Sequence, residues 1–327
     1  MKALLCIEPG KLELVTRPRP MTRQGHTRVR IGHIGICGTD YHIYHGRQPF
    51  LSYPRVMGHE LSGRTMEKSA DGRIAEGDLV VINPYLSCGN CRACRKGRAN
   101  CCEQIAVLGV HVDGGMCEEI VVPDANLYPA GDLSEKSAAM VEFLAIGAHG
   151  VCRGGVEPGS EALVVGGGPI GIGAALFAAI AGATVTLRDI SPARLELARR
   201  IVPAATLELV GEEGDRAYDV VFDATGSIAS MSASLKWVGH GGSYVLLSLA
   251  KGDIAFDDPE FHRREATLLA SRNALEEDFR HVMTCMRDGR VPVEALATHE
   301  TTLDNALTDL PLWATDRDTM VKAIIRV

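Results

Sequence analysis

From residue 1 to about residue 150 the chain alternates short apolar, β-prone runs with turn-forming clusters. KALLCI (2–7), KLELV (11–15), TRVRIGHIG (27–35), DLVVINP (78–84) and EEIVVP (118–123) are separated by PG, RPRP, ADG and EGD. Strand-length runs at that spacing predict an all-β domain, folded as a small barrel. From about residue 160 the rhythm changes to strand, helix, strand. ALVVG (162–166) is followed by an Ala-rich helix at 169–181, TVTLRD (184–189) by a helix at 192–200, and DVVFDATG (219–226) by a helix at 228–237 leading to SYVLLS (243–248). That alternation predicts a parallel sheet covered by helices on both faces. Beyond about residue 290 the pattern is irregular and ends in MVKAIIRV (320–327), a β-prone tail predicted to return to the first domain. The expected fold class is therefore α/β, with a β-barrel domain at 1–150 completed by 290–327 and a doubly wound domain at 151–289.

Length and composition agree with two domains. A chain of 327 residues with 46% hydrophobic content exceeds one ordinary core and fills two. A formal net charge of −7, with no long block of like charge, gives no footprint for a polyanion, so nucleic acid is not an expected partner. The opening MKALLCIEPG lacks a cationic segment followed by a long apolar core, and no later stretch has the length of an apolar membrane span. No membrane partner is expected, and the expected location is the cytoplasm.

Ten cysteines would suggest disulfides in a small exported protein, but five of them fall between Cys88 and Cys102. Clustering of that kind points to metal. Cys88, Cys91 and Cys94 form CxxCxxC, and with a fourth thiolate from the adjacent Cys101 or Cys102 they can close a tetrahedral shell, the pattern of structural zinc. Redox cysteines and an iron–sulfur cluster are the alternatives. A nucleic-acid zinc ribbon normally uses two distant knuckles rather than one lobe.

A second constellation lies upstream. GICGTDYHIYHG (35–46) places Cys37, Thr39, Asp40 and His42 on one short stretch after an apolar strand, and PRVMGHELSG (54–63) supplies His59 and Glu60. His33 and His45 read as ordinary histidines. Cys37 and His59 stand out because both sit at Gly-flanked strand ends, where the backbone can bring small side chains together around an ion. Glu142 is the one carboxylate in the apolar run AAMVEFLAIGAHG; buried there it needs a partner, which a metal would supply, and a helix-surface glutamate is the alternative.

Gly166, Gly168 and Gly171 in VVGGGPIGIGAA form GxGxxG between a Val-rich strand and an Ala-rich helix, a context in which the helix-start amides face a pyrophosphate. Asp189 ends the next strand, where a carboxylate binds the adenosine ribose hydroxyls and repels a 2′-phosphate, favouring NAD over NADP; Arg188 and Arg194 are close enough to soften that preference.

Together, GICGTDYH, GHE, the four-cysteine lobe and GGGPIG resemble the zinc-containing medium-chain alcohol dehydrogenase superfamily over essentially the whole chain. The CGTDYH stretch, and a glutamate at 142 in place of a cysteine, are similar to its polyol, sorbitol and threonine branch. QPFLSYPRVMGHE, GRANCCEQIAVLGVHVDGG and DPEFHRREATLLASRNALEEDF are similar to the bacterial sugar-acid dehydrogenases within it. The resemblance implies a GroES-like catalytic domain with a Rossmann cofactor domain, two zinc ions per chain, and NAD. It implies Cys37, His59 and Glu142 as catalytic zinc ligands, with Glu60 able to bind directly or to exchange with water. Cys88, Cys91, Cys94 and Cys102 match the structural lobe. Thr39 matches the hydroxyl that bridges the alcohol to the cofactor ribose, and His42 the imidazole that passes the proton to solvent. Gly166, Gly168, Pro169, Ile170, Gly171, Asp189, Arg194, Thr225, Ser248 and Arg272 fall where relatives hold the cofactor, and Asp223 to Gly226 (DATG) where they line its cleft. Phe143 departs from the family, which usually has proline after the glutamate.

The resemblance also implies oxidation of a secondary alcohol of a sugar acid or polyol, with an L-galactonate or L-gulonate type of aldonate expected. Threonine or a simple polyol such as sorbitol or galactitol phosphate is the alternative substrate, and a non-enzymatic zinc- and NAD-binding protein the alternative class. A carboxylate-bearing substrate wants a cation, which Arg272 or Lys322 would supply, with surface or cofactor-phosphate roles as the alternatives. Relatives are homodimers or homotetramers, and SYVLLS is expected near an edge strand used for pairing.

Overall fold

The longest strand, His26–Ile36, organises the first part of the protein. It pairs antiparallel with Glu60–Thr65, with the C-terminal strand Lys322–Arg326 and, through its first half, with Glu119–Pro123. This computed structural model describes every residue except 50, 213, 215, 316 and 317. The sheet so formed runs Leu127–Pro129, Leu79–Ile82, Glu60–Thr65, His26–Ile36, Lys322–Arg326, Ala297–Thr302, with Glu119–Pro123 as its seventh strand. A smaller sheet of Lys11–Thr16, Lys2–Glu8 and Arg55–Val56 is tied in through a bridge between Ala3 and Cys117. Alternation along His26–Ile36 puts Thr27, Val29 and Ile31 inward, and Val29 and Ile31 join Leu4, Met57, Leu61, Val80 and Ile325 in one core.

The chain divides into two units. One contains Met1–Glu142, Met283–Gly289 and Leu296–Val327; the other contains Phe143–Val282 and Arg290–Ala295. The tail MVKAIIRV is thus a strand of the first unit. Ala297–Thr302 and the helix Ala306–Trp313 precede it, two elements that the sequence pattern left irregular.

The second unit is built on a six-stranded parallel sheet with the spatial order Thr206–Leu209, Thr184–Asp189, Glu161–Val165, Tyr218–Asp223, Val238–Leu246, Thr267–Ala270. Counted along the chain this is 3-2-1-4-5-6, so the strand order reverses between Glu161–Val165 and Tyr218–Asp223 and opens a crevice at their carboxyl ends. The helix Pro169–Ile180 follows the first strand directly, with Gly168 as its N-cap and Pro169 in its first turn, where a missing N–H goes unmissed. Its residues from Gly171 to Ala178 are all buried. An Ala- and Gly-rich composition is what permits a helix to pack so closely on all sides.

Two boundaries differ from the sequence reading. The expected helix at 228–237 is helical only over Ile228–Ser234, with a 3-10 turn at Leu235–Trp237. The strand expected from residue 243 begins at Val238, because the run GHGG hides strand-forming backbone behind residues of low β propensity. That strand pairs on both sides and is interior; the sheet edge is the next strand, Thr267–Ala270.

Candidate active site and metal centres

The strand His26–Ile36 delivers Cys37 to the start of the helix Gly38–Tyr44, where it is the N-cap. The Cys37 backbone N–H donates to Asp40 Oδ2 at 2.9 Å, and Gly58 N donates to Asp40 Oδ1 at 3.3 Å. Asp40 is fully buried and stands 3.9 Å from His59 Nδ1, so one carboxylate fastens the helix to the loop that carries His59. Gly58 has φ +91°, a turn that a side chain would strain, and it lets the chain reverse just before His59.

Glu60 opens the next strand and pairs with Gly35 across the ladder. A Cβ at Gly35 would overlap Glu60 Oε2, so the glycine leaves the room that the carboxylate fills. Glu60 Oε1 accepts from Lys322 Nζ at 2.6 Å, and the same ammonium donates to Ile36 O at 3.1 Å. Both side chains are essentially out of contact with solvent.

Ligand atoms of Cys37, His59 and Glu60 lie within 4.8 Å of one another. Two polar atoms of this group, His59 Nδ1 and Glu60 Oε2, are buried without a hydrogen-bond partner. Buried polar atoms are seldom left unsatisfied, and a sulfur, an imidazole and a carboxylate form the mixed donor set that zinc accepts. The residues therefore fit a divalent cation. Glu142 stands outside this close group; it is buried near the start of the helix Val141–Gly154, and its Oε1 accepts the Tyr85 hydroxyl.

Proton affinities around the group are disturbed in the way that packed ionisable residues require. Burial pushes Glu142 up to about 7, against the pull of the nearby His59, while Glu60 adds to the rise. Burial, followed by the Glu142 charge, holds the Tyr85 phenol well above its ordinary range. At His59 burial disfavours the cation, but Cys37 and Asp40 outweigh it and raise the imidazole well above its usual value. Asp40 is raised by burial, with His59 opposing.

Thr39 and His42 sit three positions apart on the helix Gly38–Tyr44, a spacing that puts them on one face; Thr39 is half-buried and His42 exposed.

The cysteine lobe is a separate centre. Ligand atoms of Cys88, Cys91, Cys94 and Cys102 lie within 4.8 Å of each other. Cys102 Sγ is 3.5 Å from Cys88 Sγ and 4.0 Å from Cys91 Sγ. Tetrahedral bonds of about 2.3 Å would set sulfurs roughly 3.8 Å apart, so the lobe fits zinc as it stands. Backbone N–H groups of Cys88 and Gln104 point at Cys102 Sγ, and that of Cys94 at Cys91 Sγ. Amides of Cys94 and Glu103 bring the Cys91 thiol down to about 6, whereas burial pushes Cys94 up to about 12. Cys102 is buried and Cys101 is exposed outside the group.

In the second unit the glycine turn opens the crevice of the parallel sheet. A Cβ on Gly171 would overlap Gly166 O, so helix and turn close only around a glycine. Gly168, Pro169 and Ile170 are partly exposed at the helix start. Asp189 takes the Gly167 N–H at 2.6 Å and the Ser191 N–H at 2.8 Å, with Arg194 Nη1 at 3.8 Å. Arg188 does not join them. Its guanidinium bonds Glu208 at 2.6 and 3.1 Å and lies 4.5 Å over the Trp237 ring, which removes it from the nucleotide question. Thr225 follows the fourth strand at the crevice, Ser248 follows the fifth and Arg272 the sixth; Thr225 and Arg272 are exposed.

Sequence reasoning missed Tyr85 as the partner of Glu142. It read Lys322 as a substrate cation, a surface residue or a cofactor-phosphate contact, and the structure instead buries it against Glu60. The one available signal was a lysine inside the apolar run MVKAIIRV.

Comparisons with known proteins follow the same division. A model of the alcohol dehydrogenase GroES-like domain matches residues 23–132, and a model described as zinc-binding dehydrogenase matches residues 169–288. The chain is 42% identical over 311 residues to L-galactonate-5-dehydrogenase of Escherichia coli, covering 91% of each protein. It is 32% identical to D-altritol 5-dehydrogenase of Agrobacterium fabrum, covering 94% of each. Among solved structures it matches RspB of E. coli, described as an alcohol dehydrogenase complexed with NADH, at a TM-score of 0.93 and 27% identity, covering 100% of this chain and 99% of that one.

Proposed function

The chain belongs to the zinc-binding alcohol dehydrogenase family, and from that premise we propose that it oxidises a secondary alcohol of a sugar acid or polyol, with an aldonate of the L-galactonate type as substrate and NAD as acceptor. It is an alcohol-oxidising enzyme that uses zinc and a nicotinamide dinucleotide. The observation that carries the reading is the convergence of half-buried Cys37 with buried His59 and Glu60, two of whose polar atoms have no hydrogen-bond partner, in a chain 42% identical to an L-galactonate-5-dehydrogenase.

In this reading Cys37, His59 and one of the two glutamates, Glu60 or Glu142, hold the catalytic zinc. Bound zinc supplies the Lewis acidity that makes an alcohol acidic near neutral pH, and NAD supplies the hydride-accepting ring. The remaining work falls to side chains. Asp40 fixes the loop that carries His59 through the Gly58 N–H and stands 3.9 Å from His59 Nδ1, beyond hydrogen-bond reach. Lys322 restrains one oxygen of Glu60 and Tyr85 one oxygen of Glu142, so each acid keeps another oxygen for exchange at the centre. Thr39 would accept the alcohol proton as it gives up its own hydroxyl proton, and His42, exposed on the same helical face, would be the group that passes a proton to water. Cys88, Cys91, Cys94 and Cys102 hold the second, structural zinc. Asp189 binds the adenosine ribose and excludes a 2′-phosphate, while the start of the helix Pro169–Ile180 faces the pyrophosphate. Arg272, which follows the sixth strand of the second unit, is assigned with Thr225 and Ser248 to the cofactor.

The first unit is assigned as the GroES-like catalytic domain, expected at 1–150 and 290–327, and the second as the Rossmann domain, expected at 151–289; residues 143–150 and 290–295 fall in the second unit and 283–289 in the first. Among the described residues no helix is long and apolar enough to cross a membrane; the thiol-rich lobe favours the reducing cytoplasm. The deciding experiment is NAD reduction by purified protein of measured zinc content, across aldonates, polyols, threonine and short alcohols. A clear preference for L-galactonate or L-gulonate supports the reading. A preference for threonine or a neutral polyol replaces the substrate, and no turnover at full zinc content removes the aldonate assignment.

A further inference from the structure

We infer that Asp223 is a positioning residue for the dinucleotide, holding the loop at 224–227 against the glycine turn; the inference rests on the second unit being the NAD-binding one. Asp223 ends the fourth strand of the parallel sheet, in register with Val165 at the end of the first. The residues that follow these two, Ala224 and Gly166, form the two lips of the crevice where the strand order reverses.

The Asp223 carboxylate is fully buried, and its donors come from three elements. Oδ1 accepts from Thr225 N at 2.9 Å and from Thr225 Oγ1 at 2.6 Å. Oδ2 accepts from Ser230 Oγ at 2.9 Å and faces the Tyr244 hydroxyl at 3.3 Å, a hydroxyl that also donates to Met231 O at 2.9 Å. The Asp223 backbone joins in, since its carbonyl accepts from Leu247 N at 2.9 Å.

The Thr225 hydroxyl is therefore already employed. It donates to Asp223 and accepts from Ser227 N at 3.1 Å, which closes the turn through Gly226 at φ +65°. Ser227 is in turn the N-cap of the helix Ile228–Ser234. Ala224 N donates to Val165 O at 2.8 Å, and a Cβ on Gly166 would lie 3.1 Å from the Ala224 carbonyl carbon and 3.2 Å from the Thr225 methyl. The loop thus packs on the glycine turn with no space to spare. Its distance from that turn is set by a carboxylate that itself lies too deep to touch a ligand. Exposed at the crevice, Thr225 has its hydroxyl engaged within the loop, which leaves its backbone and methyl to face outward.

The test is calorimetric titration of NADH into the zinc-loaded protein, for wild type, Asp223→Ala, Asp223→Asn, Thr225→Val and Ser230→Ala, beside melting temperatures and initial rates. Asp223→Ala and Thr225→Val are expected to raise the NADH Kd and the KM for NAD by about tenfold or more, the scale of a lost charge-assisted hydrogen bond. The KM for the alcohol and kcat at saturating NAD stay within about threefold, a split that a general loss of folded protein does not produce. Asp223→Asn keeps an oxygen for Thr225 and restores most of the affinity. An unchanged Kd in the folded fraction of Asp223→Ala, whatever its melting temperature, would overturn the inference. Should that variant fail to fold, Thr225→Val and Ser230→Ala decide by the same criterion. Failure of the wild type itself to bind NADH or NADPH would remove the cofactor reading, a result distinct from equal binding by wild type and variants.

Discussion

Lys322 and Glu60 are 262 positions apart and meet as a buried ion pair. Breaking such a pair by removing one partner costs about 3–5 kcal/mol, because the other charge is left buried without compensation. If Glu60 Oε2 faces a zinc ion, the ion supplies that compensation. Lys322→Met is then expected to lower the melting temperature of the metal-free protein more than that of the zinc-loaded one, as calorimetry on both forms would show. An equal fall in both would mean that the metal makes no use of Glu60. Gly35→Ala tests the same carboxylate from the opposite side. The added methyl occupies the position of Oε2, so zinc affinity measured by competition with a chelator should weaken while the cysteine lobe keeps its ion. Cys37 and His59 were legible in the sequence because each sits beside a glycine at a strand end. Tyr85 and the role of Lys322 were not, since a hydrogen bond between positions so far apart leaves no local pattern.

At the scale of elements, legibility follows the distance over which a pattern acts. The cysteine lobe spans Cys88 to Cys102, so its spacing points to metal, while the choice of Cys102 over Cys101 rested on the resemblance. Opening it by Cys91→Ala is expected to remove one zinc per chain by elemental analysis and to lower the melting temperature by several degrees. NADH binding should survive, because the glycine turn and Asp189 belong to the other unit. Full zinc content with wild-type melting would contradict a structural role. The helix Pro169–Ile180 was legible from the glycine turn and its alanines. By contrast Glu60–Thr65, the neighbour of the longest strand, was hidden. Its sequence ELSGRT lacks a β-branched run, and a Cβ on Gly63 would overlap Arg30 O in the adjacent strand. Close approach of two backbones demanded a residue that propensity counts against strands.

For the whole molecule, the expectation of assembly falls on an open edge of the parallel sheet. The parallel sheet has two edges, and Thr267–Ala270 is bonded on one side only, to Val238–Leu246. Three of its four residues are exposed, among them Leu268 at 39%. Open strand edges invite pairing, and proteins that remain single guard them with charge, which these four residues lack. The expectation of an edge near 243–248 failed by one strand, because the glycines that hide the start of Val238–Leu246 also hide how deep it lies. We expect light scattering to give a mass two or four times that of the 35.0 kDa chain. Leu268→Lys places a charge on the edge and should shift the protein toward the single-chain mass, with NADH affinity kept because the crevice lies between strands away from that edge. A wild type that runs as a single chain at assay concentrations would sink the pairing. A variant that stays assembled would instead move the interface to another face, since one lysine on a four-residue strand is enough to oppose its like across a two-fold axis.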